Sequence, residues 1–81
     1  MEKYLTRLAL VDKLIRRKST GTPKGLSFKL QVSESTVFRL LRTMKESMGL
    51  KFDWSAEHNS YVYRSDSIKF NLDKLILSAQ E

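Results

Sequence analysis

Val37, Leu40, Leu41 and Met44 recur three and four residues apart, a spacing that sets them along one face of a helix over residues 33–47. Ser33 stands where an N-cap belongs, its hydroxyl ready to accept a bond from an orphan backbone N–H of the first turn. Ser35, Thr36, Phe38, Arg39, Arg42, Thr43 and Lys45 fall on the remaining faces. The stretch has an apolar edge that needs a core and a hydroxyl-and-guanidinium edge that does not. Any fold for this chain has to bury the first and leave the second free.

Two helical segments precede it. Tyr4, Leu5, Leu8, Val11, Leu14 and Ile15 follow helical spacing, which predicts a helix over residues 2–18 with Lys3, Arg7, Asp12 and Lys13 towards water. Glu2 near its positive end and Arg16, Arg17 and Lys18 at its negative end suit the helix dipole. Gly21 can take a left-handed conformation and is expected to end the element. Thr22 then reads as an N-cap, and Pro23 as the first helical position, where the missing N–H would have been unpaired anyway. Leu26 and Leu30 face inward with Ser27 beside them, in a helix of about two turns that ends near Leu30. Gln31, Val32 and Ser33 connect it to the next helix, the arrangement of a helix-turn-helix.

Past Gly49, the expected left-handed C-terminal residue, the period changes to two. Lys51 to Trp54 alternates, and so does Ser60 to Tyr63, with aromatic and β-branched residues that favour strands. Asn59 in the connection tolerates positive φ, so residues 50–64 read as a β-hairpin with Phe52, Trp54, Tyr61 and Tyr63 placed to pair across it. Residues 68–71 are a candidate short strand, and Leu72, Leu75, Ile76 and Ala79 have the spacing of a final helix. The expected fold class is α+β: a three-helix bundle over residues 1–66 closed by a hairpin, then a C-terminal extension over residues 67–81.

A chain of 81 residues buries only a modest core. It has no cysteine, which removes disulfides and thiolate metal sites and leaves a partner subunit as the remaining source of extra stability. No apolar run is long enough to span a bilayer, and the N-terminus lacks a signal-peptide pattern, so a soluble, cytoplasmic protein is expected. One histidine, no glycine-rich phosphate loop and no carboxylate pair at useful spacing offer no triad or metal cage. The expectation is therefore a protein that is not an enzyme and takes no cofactor, metal or small-molecule substrate.

Charge is unevenly spread. Residues 1–32 carry 8 basic and 2 acidic side chains (+6), residues 33–51 carry 4 and 2 (+2), and residues 52–81 carry 3 and 5 (−2). The first two-thirds attract a polyanion and the last third does not.

Residues 5–64 resemble the winged helix-turn-helix DNA-binding domains of bacterial transcriptional regulators, notably the small domain that begins many sugar-metabolism and biotin-operon-type repressors. The resemblance rests on Thr22-Pro23 opening the second helix, Leu26 and Leu30 on its core face, and Ser27 where a small residue lets helices approach. Val32-Ser33 marks the turn, Val37 and Leu40 fill the inward positions of the recognition helix, and the aromatic hairpin stands as the wing. Two features depart from the pattern. Gln31 occupies the place usually held by glycine, where a left-handed residue costs about 1 kcal/mol. Gly25 and Phe28 sit where polar helix formers are usual, and Gly25 is expected to weaken the helix by about 0.5–1 kcal/mol.

The resemblance implies sequence-specific binding of double-stranded DNA in transcription regulation, with helix 33–47 in the major groove. Arg39 is then a fork for a guanine edge, while Ser33, Ser35 and Thr36 are short enough for bases or phosphates and equally suit plain helix-start chemistry. Phe38 either meets a thymine methyl or packs at the core edge. Arg42, Thr43 and Lys45 lie further along and suit phosphates. Thr22 and Lys24 open the second helix, whose N–H groups form a phosphate site. Arg16, Arg17 and Lys18 read as a solvated helix end. His58 and Asn59 at the hairpin tip are candidate contacts to the DNA backbone or groove floor, although a lone turn histidine is ordinarily plain surface. Symmetric half-sites are common for this motif, which makes a homodimer through Phe28, Leu75 and Ile76 a further expectation. Two other readings stand beside it: a protein-interaction module that keeps the fold and uses Phe28, the hairpin aromatics and the acidic C-terminal third, or an RNA or single-strand binder stacking bases on those aromatics. Beside a helical bundle the aromatics are expected instead to cover the small core.

Overall fold

The computed structural model describes residues 2–67. Three helices, α1 (Glu2–Arg16), α2 (Pro23–Leu30) and α3 (Glu34–Glu46), are followed by an antiparallel hairpin of β1 (Phe52–Ser55) and β2 (Ser60–Tyr63). This is a small α+β domain, as the change of period at Gly49 predicts. The candidate strand and helix over residues 68–79, with Leu75 and Ile76, lie outside the described residues.

The helix starts follow from local chemistry. Thr22 accepts from Gly25 N at 3.0 Å, and Ser33 accepts from Thr36 N at 3.2 Å, both caps having extended backbone. A Cβ at Gly25 would stand 3.3 Å from the capping Thr22 Oγ1, a tight contact.

The first helix ends differently from the expectation. Residues 17 and 18 lie outside α1, and the left-handed residue that closes it is Lys18 (φ 56), with Ser19 N donating to Leu14 O at 2.9 Å. That bond satisfies an orphan carbonyl of the last turn, so Gly21 (φ 71) shapes the following loop and not the helix end. Gln31 does the same for α2: its φ is 57, and Val32 N reaches Ser27 O at 3.0 Å. The turn thus keeps its left-handed geometry without glycine. Gly49 (φ 68) closes α3 as expected.

The core joins Leu8, Ala9, Val11 and Ile15 of α1 to Leu26 and Leu30 of α2. Val37, Leu40, Leu41 and Met44 of α3 complete it with Leu50 and Phe52. Every apolar position assigned to the inner edge of α3 is buried.

One expectation fails on α1. Asp12, placed towards water by its spacing, is buried with its side chain 4% exposed. It is ion-paired to Arg16 and accepts a hydrogen bond from the Tyr63 hydroxyl at 2.5 Å, a link across 51 residues of sequence. A carboxylate tolerates such burial only when charge-assisted partners replace its water, and here two do. Burial and this partnership raise the Tyr63 pKa well above its ordinary value.

A second polar link seats the hairpin on the loop after α1. Thr20 N donates to Ser60 Oγ and Tyr61 N donates to Thr20 Oγ1, both at 2.9 Å, with Thr20 and Ser60 fully buried. Lys29 Nζ holds the same loop from α2 through the carbonyls of Ser19 (2.7 Å) and Thr20 (3.2 Å).

Candidate nucleic-acid interface

The outer face of α3 follows from the inner one. With Val37, Leu40, Leu41 and Met44 turned in, helical geometry leaves Glu34, Ser35, Phe38, Arg39, Arg42, Lys45 and Glu46 exposed. Both carboxylates stand near the ends of the helix; Arg39 has no negative neighbour three or four residues away, and Arg42 has Glu46 one turn on without an ion pair. Lys24 is exposed at the start of α2, behind the Thr22 cap.

Ion pairs among the described residues cluster beside the hairpin and at Asp12. Cations beside the hairpin are neutralised locally: Lys51 by Asp66 at 3.4 Å, and Arg64 by Asp66 at 3.1 Å and Asp53 at 3.9 Å. Among the described residues, Lys24, Arg39 and Arg42 enter no ion pair. Exposed pairs contribute little to stability, but they do cancel field. Uncancelled positive charge therefore stands on α2 and α3, and also at Lys3, Arg7, Arg17 and Lys18 around α1.

Other expected site residues are already engaged. Ser33 Oγ lies 3.0 Å from both Ser35 Oγ and Thr36 Oγ1, so the three hydroxyls form one cluster over the first turn. The Thr43 hydroxyl is half-buried and receives the Tyr4 hydroxyl at 3.1 Å. Lys45 Nζ sits 4.9 Å from the centre of the Phe52 ring, a cation–π contact that draws it towards the hairpin. Of the basic side chains on α2 and α3, Lys24, Arg39 and Arg42 keep their heads free among the described residues.

The hairpin is in register Phe52↔Tyr63 and Trp54↔Tyr61, which puts all four aromatics on one face. They meet edge to face: Phe52 with Tyr61 and with Tyr63 at 5.9 Å, and Trp54 with Tyr61 at 5.3 Å between ring centres. Phe52 is core, and burial also raises the Tyr61 pKa. Trp54 departs from the expected covering role, being 43% exposed. The four-residue tip is closed by Asn59 (φ 50), as its tolerance of positive φ predicts. His58 Nδ1 lies 3.0 Å from Ser55 Oγ, an ordinary turn contact that leaves its other ring nitrogen at the surface.

Between α3 and the hairpin lies an open cleft of about 420 Å³. Phe38, Arg42, Lys45 and Glu46 of α3 face Phe52 and Tyr61 of the hairpin across it. Phe38, 48% exposed, borders this cleft. Sequence reading missed Tyr61 and Phe52 as partners of α3. The aromatic alternation of the hairpin was the available signal, but which side of the bundle it faces is not a local property.

No known family, characterised protein or solved structure matches this chain. No helix among the described residues is long and apolar enough to cross a membrane.

Proposed function

We propose that this chain is a winged helix-turn-helix module that binds double-stranded DNA sequence-specifically and regulates transcription, without catalysis. In this reading α3 enters the major groove, α2 braces on the backbone, and the hairpin is the wing. The observation that carries it is the set of exposed, unneutralised cations Lys24, Arg39 and Arg42 on two helices joined by a left-handed turn. Arg39, near the middle of α3, presents a planar fork matched to guanine O6 and N7. Arg42 one turn on and Lys24 at the N-terminus of α2 hold phosphates. The N–H groups freed at the starts of α2 and α3 favour anions in the same place. Phe28, 72% exposed on α2, is the described residue offered to a second copy in a symmetric dimer.

Selection of bound duplexes from a random pool, followed by titration of the selected site, tests the reading. Arg39→Ala should cost about 1–3 kcal/mol and relax preference at one base pair. Lys24→Ala should weaken all duplexes alike and reduce the salt slope by about 1. Absence of any retarded duplex at low ionic strength ends the proposal, and so does an Arg39→Ala variant that binds as the parent does.

A further inference from the structure

The cleft between α3 and the hairpin is not needed for reading a paired duplex, yet its lining has a definite chemistry. Phe38 and Tyr61 contribute aromatic surface from its two sides, and the buried Phe52 ring lies beneath Lys45. Arg42 and Lys45 add two cations, and Glu46 supplies one acceptor. Trp54 extends the aromatic surface beyond Tyr61. Its volume falls in the range of roughly 300–1,000 Å³ in which flat organic groups are held.

We propose that this cleft takes an unpaired nucleobase of a nucleic-acid strand that continues from the duplex lying on α3. The inference rests on the duplex-binding reading above and names the substrate more closely: a duplex with an overhang or extruded base. Three observations select this occupant. Aromatic faces bind bases of any identity by stacking, whereas an aliphatic groove would suit a peptide side chain better. Arg42 and Lys45 match the phosphates on either side of a stacked base, and Glu46 can accept from a base N–H edge. The cleft also shares Arg42 and Phe38 with the outer face of α3, so a strand leaving the duplex reaches it without crossing uncharged surface.

The test uses the full chain and three probes at low ionic strength: a short blunt duplex, the same duplex with an oligothymidine overhang, and the oligothymidine alone. The overhang should tighten binding over the blunt duplex, and Tyr61→Leu should remove roughly 5- to 150-fold of the overhang affinity while leaving the blunt duplex as it was. Trp54 is the single tryptophan, so its emission on the unaltered chain gives a readout that needs no variant. It should be quenched by the overhang duplex and not by the blunt one. Replacing thymidine by uridine in the overhang identifies the source: equal gain means either strand serves, and a larger gain with uridine makes the preferred partner RNA. A blunt duplex bound as tightly as the overhang duplex, without a difference in Trp54 emission, overturns the cleft inference and leaves duplex binding standing. An overhang preference that survives intact in Tyr61→Leu overturns it too. If the blunt duplex is not bound at all, the duplex reading itself fails. A free protein that sediments as a dimer, dissolved by Phe38→Ser, would give the cleft to a second copy and end the proposal.

Discussion

Tyr63→Phe removes one oxygen and leaves the ring that packs on Phe52. That oxygen donates to the carboxylate of Asp12, whose side chain is almost completely withdrawn from water. A hydrogen bond to a charged group contributes about 1.5–3 kcal/mol. Arg16 stays paired to the same carboxylate, so the charge is not stranded and the loss should fall near 2 kcal/mol. For a chain of this length total stability is about 4–12 kcal/mol, which makes this one contact a large share. The midpoint of thermal unfolding should drop by about 8–16 °C. Tyr61→Phe is the matched control: Tyr61 lies on the same face of β2, and among the described residues its hydroxyl makes no hydrogen bond. It should change stability by less than about 0.5 kcal/mol. Urea unfolding followed by far-ultraviolet circular dichroism measures both variants, with an unchanged slope showing that the unfolded state is not altered. Equal losses in the two variants, or a Tyr63→Phe loss under about 0.5 kcal/mol, would refute the claim that Asp12 depends on this hydroxyl.

The same contact has a pH signature. The Tyr63 pKa is raised in the folded state, by burial first and then by Asp12, so the stability it contributes is complete below about pH 10. It is lost as pH rises from there towards the folded value, so the urea midpoint should fall above about pH 10 in the parent and fall less in Tyr63→Phe. Thr20→Val keeps the shape but strips the buried acceptor from Tyr61 N, and should cost about 1–3 kcal/mol in urea unfolding. Gln31→Gly relieves about 1 kcal/mol of left-handed side-chain strain against about 0.5–1 kcal/mol of added chain entropy, and should raise stability by no more than about 0.5 kcal/mol, seen as a thermal midpoint unchanged or slightly later.

Of the candidate interface, the part on one element was legible in the sequence. Helical spacing alone divides α3 into buried and exposed residues, so the outward placement of Arg39 and Arg42 follows from residue order. Spacing cannot reveal that Thr43 is held by Tyr4 or Lys45 by Phe52, because those partners arrive from α1 and β1. Nor does it disclose the cleft, which exists only where α3 and the hairpin stand side by side.

The amino-acid order by itself determined where elements begin, end and change period. Caps at Thr22 and Ser33, proline at the first position of α2, apolar repeats of three and four, and alternation after Gly49 all act within a few residues of one another. Tertiary structure decided which polar groups are spent on the fold. Asp12 looked like a solvent-facing carboxylate, and it is buried because Tyr63, 51 residues away, comes to meet it. Thr20 and Ser60 are joined in the same way across 40 residues. The physical reason is that a hydrogen bond depends on distance and angle in space, and only packing brings groups so remote in sequence within about 3 Å.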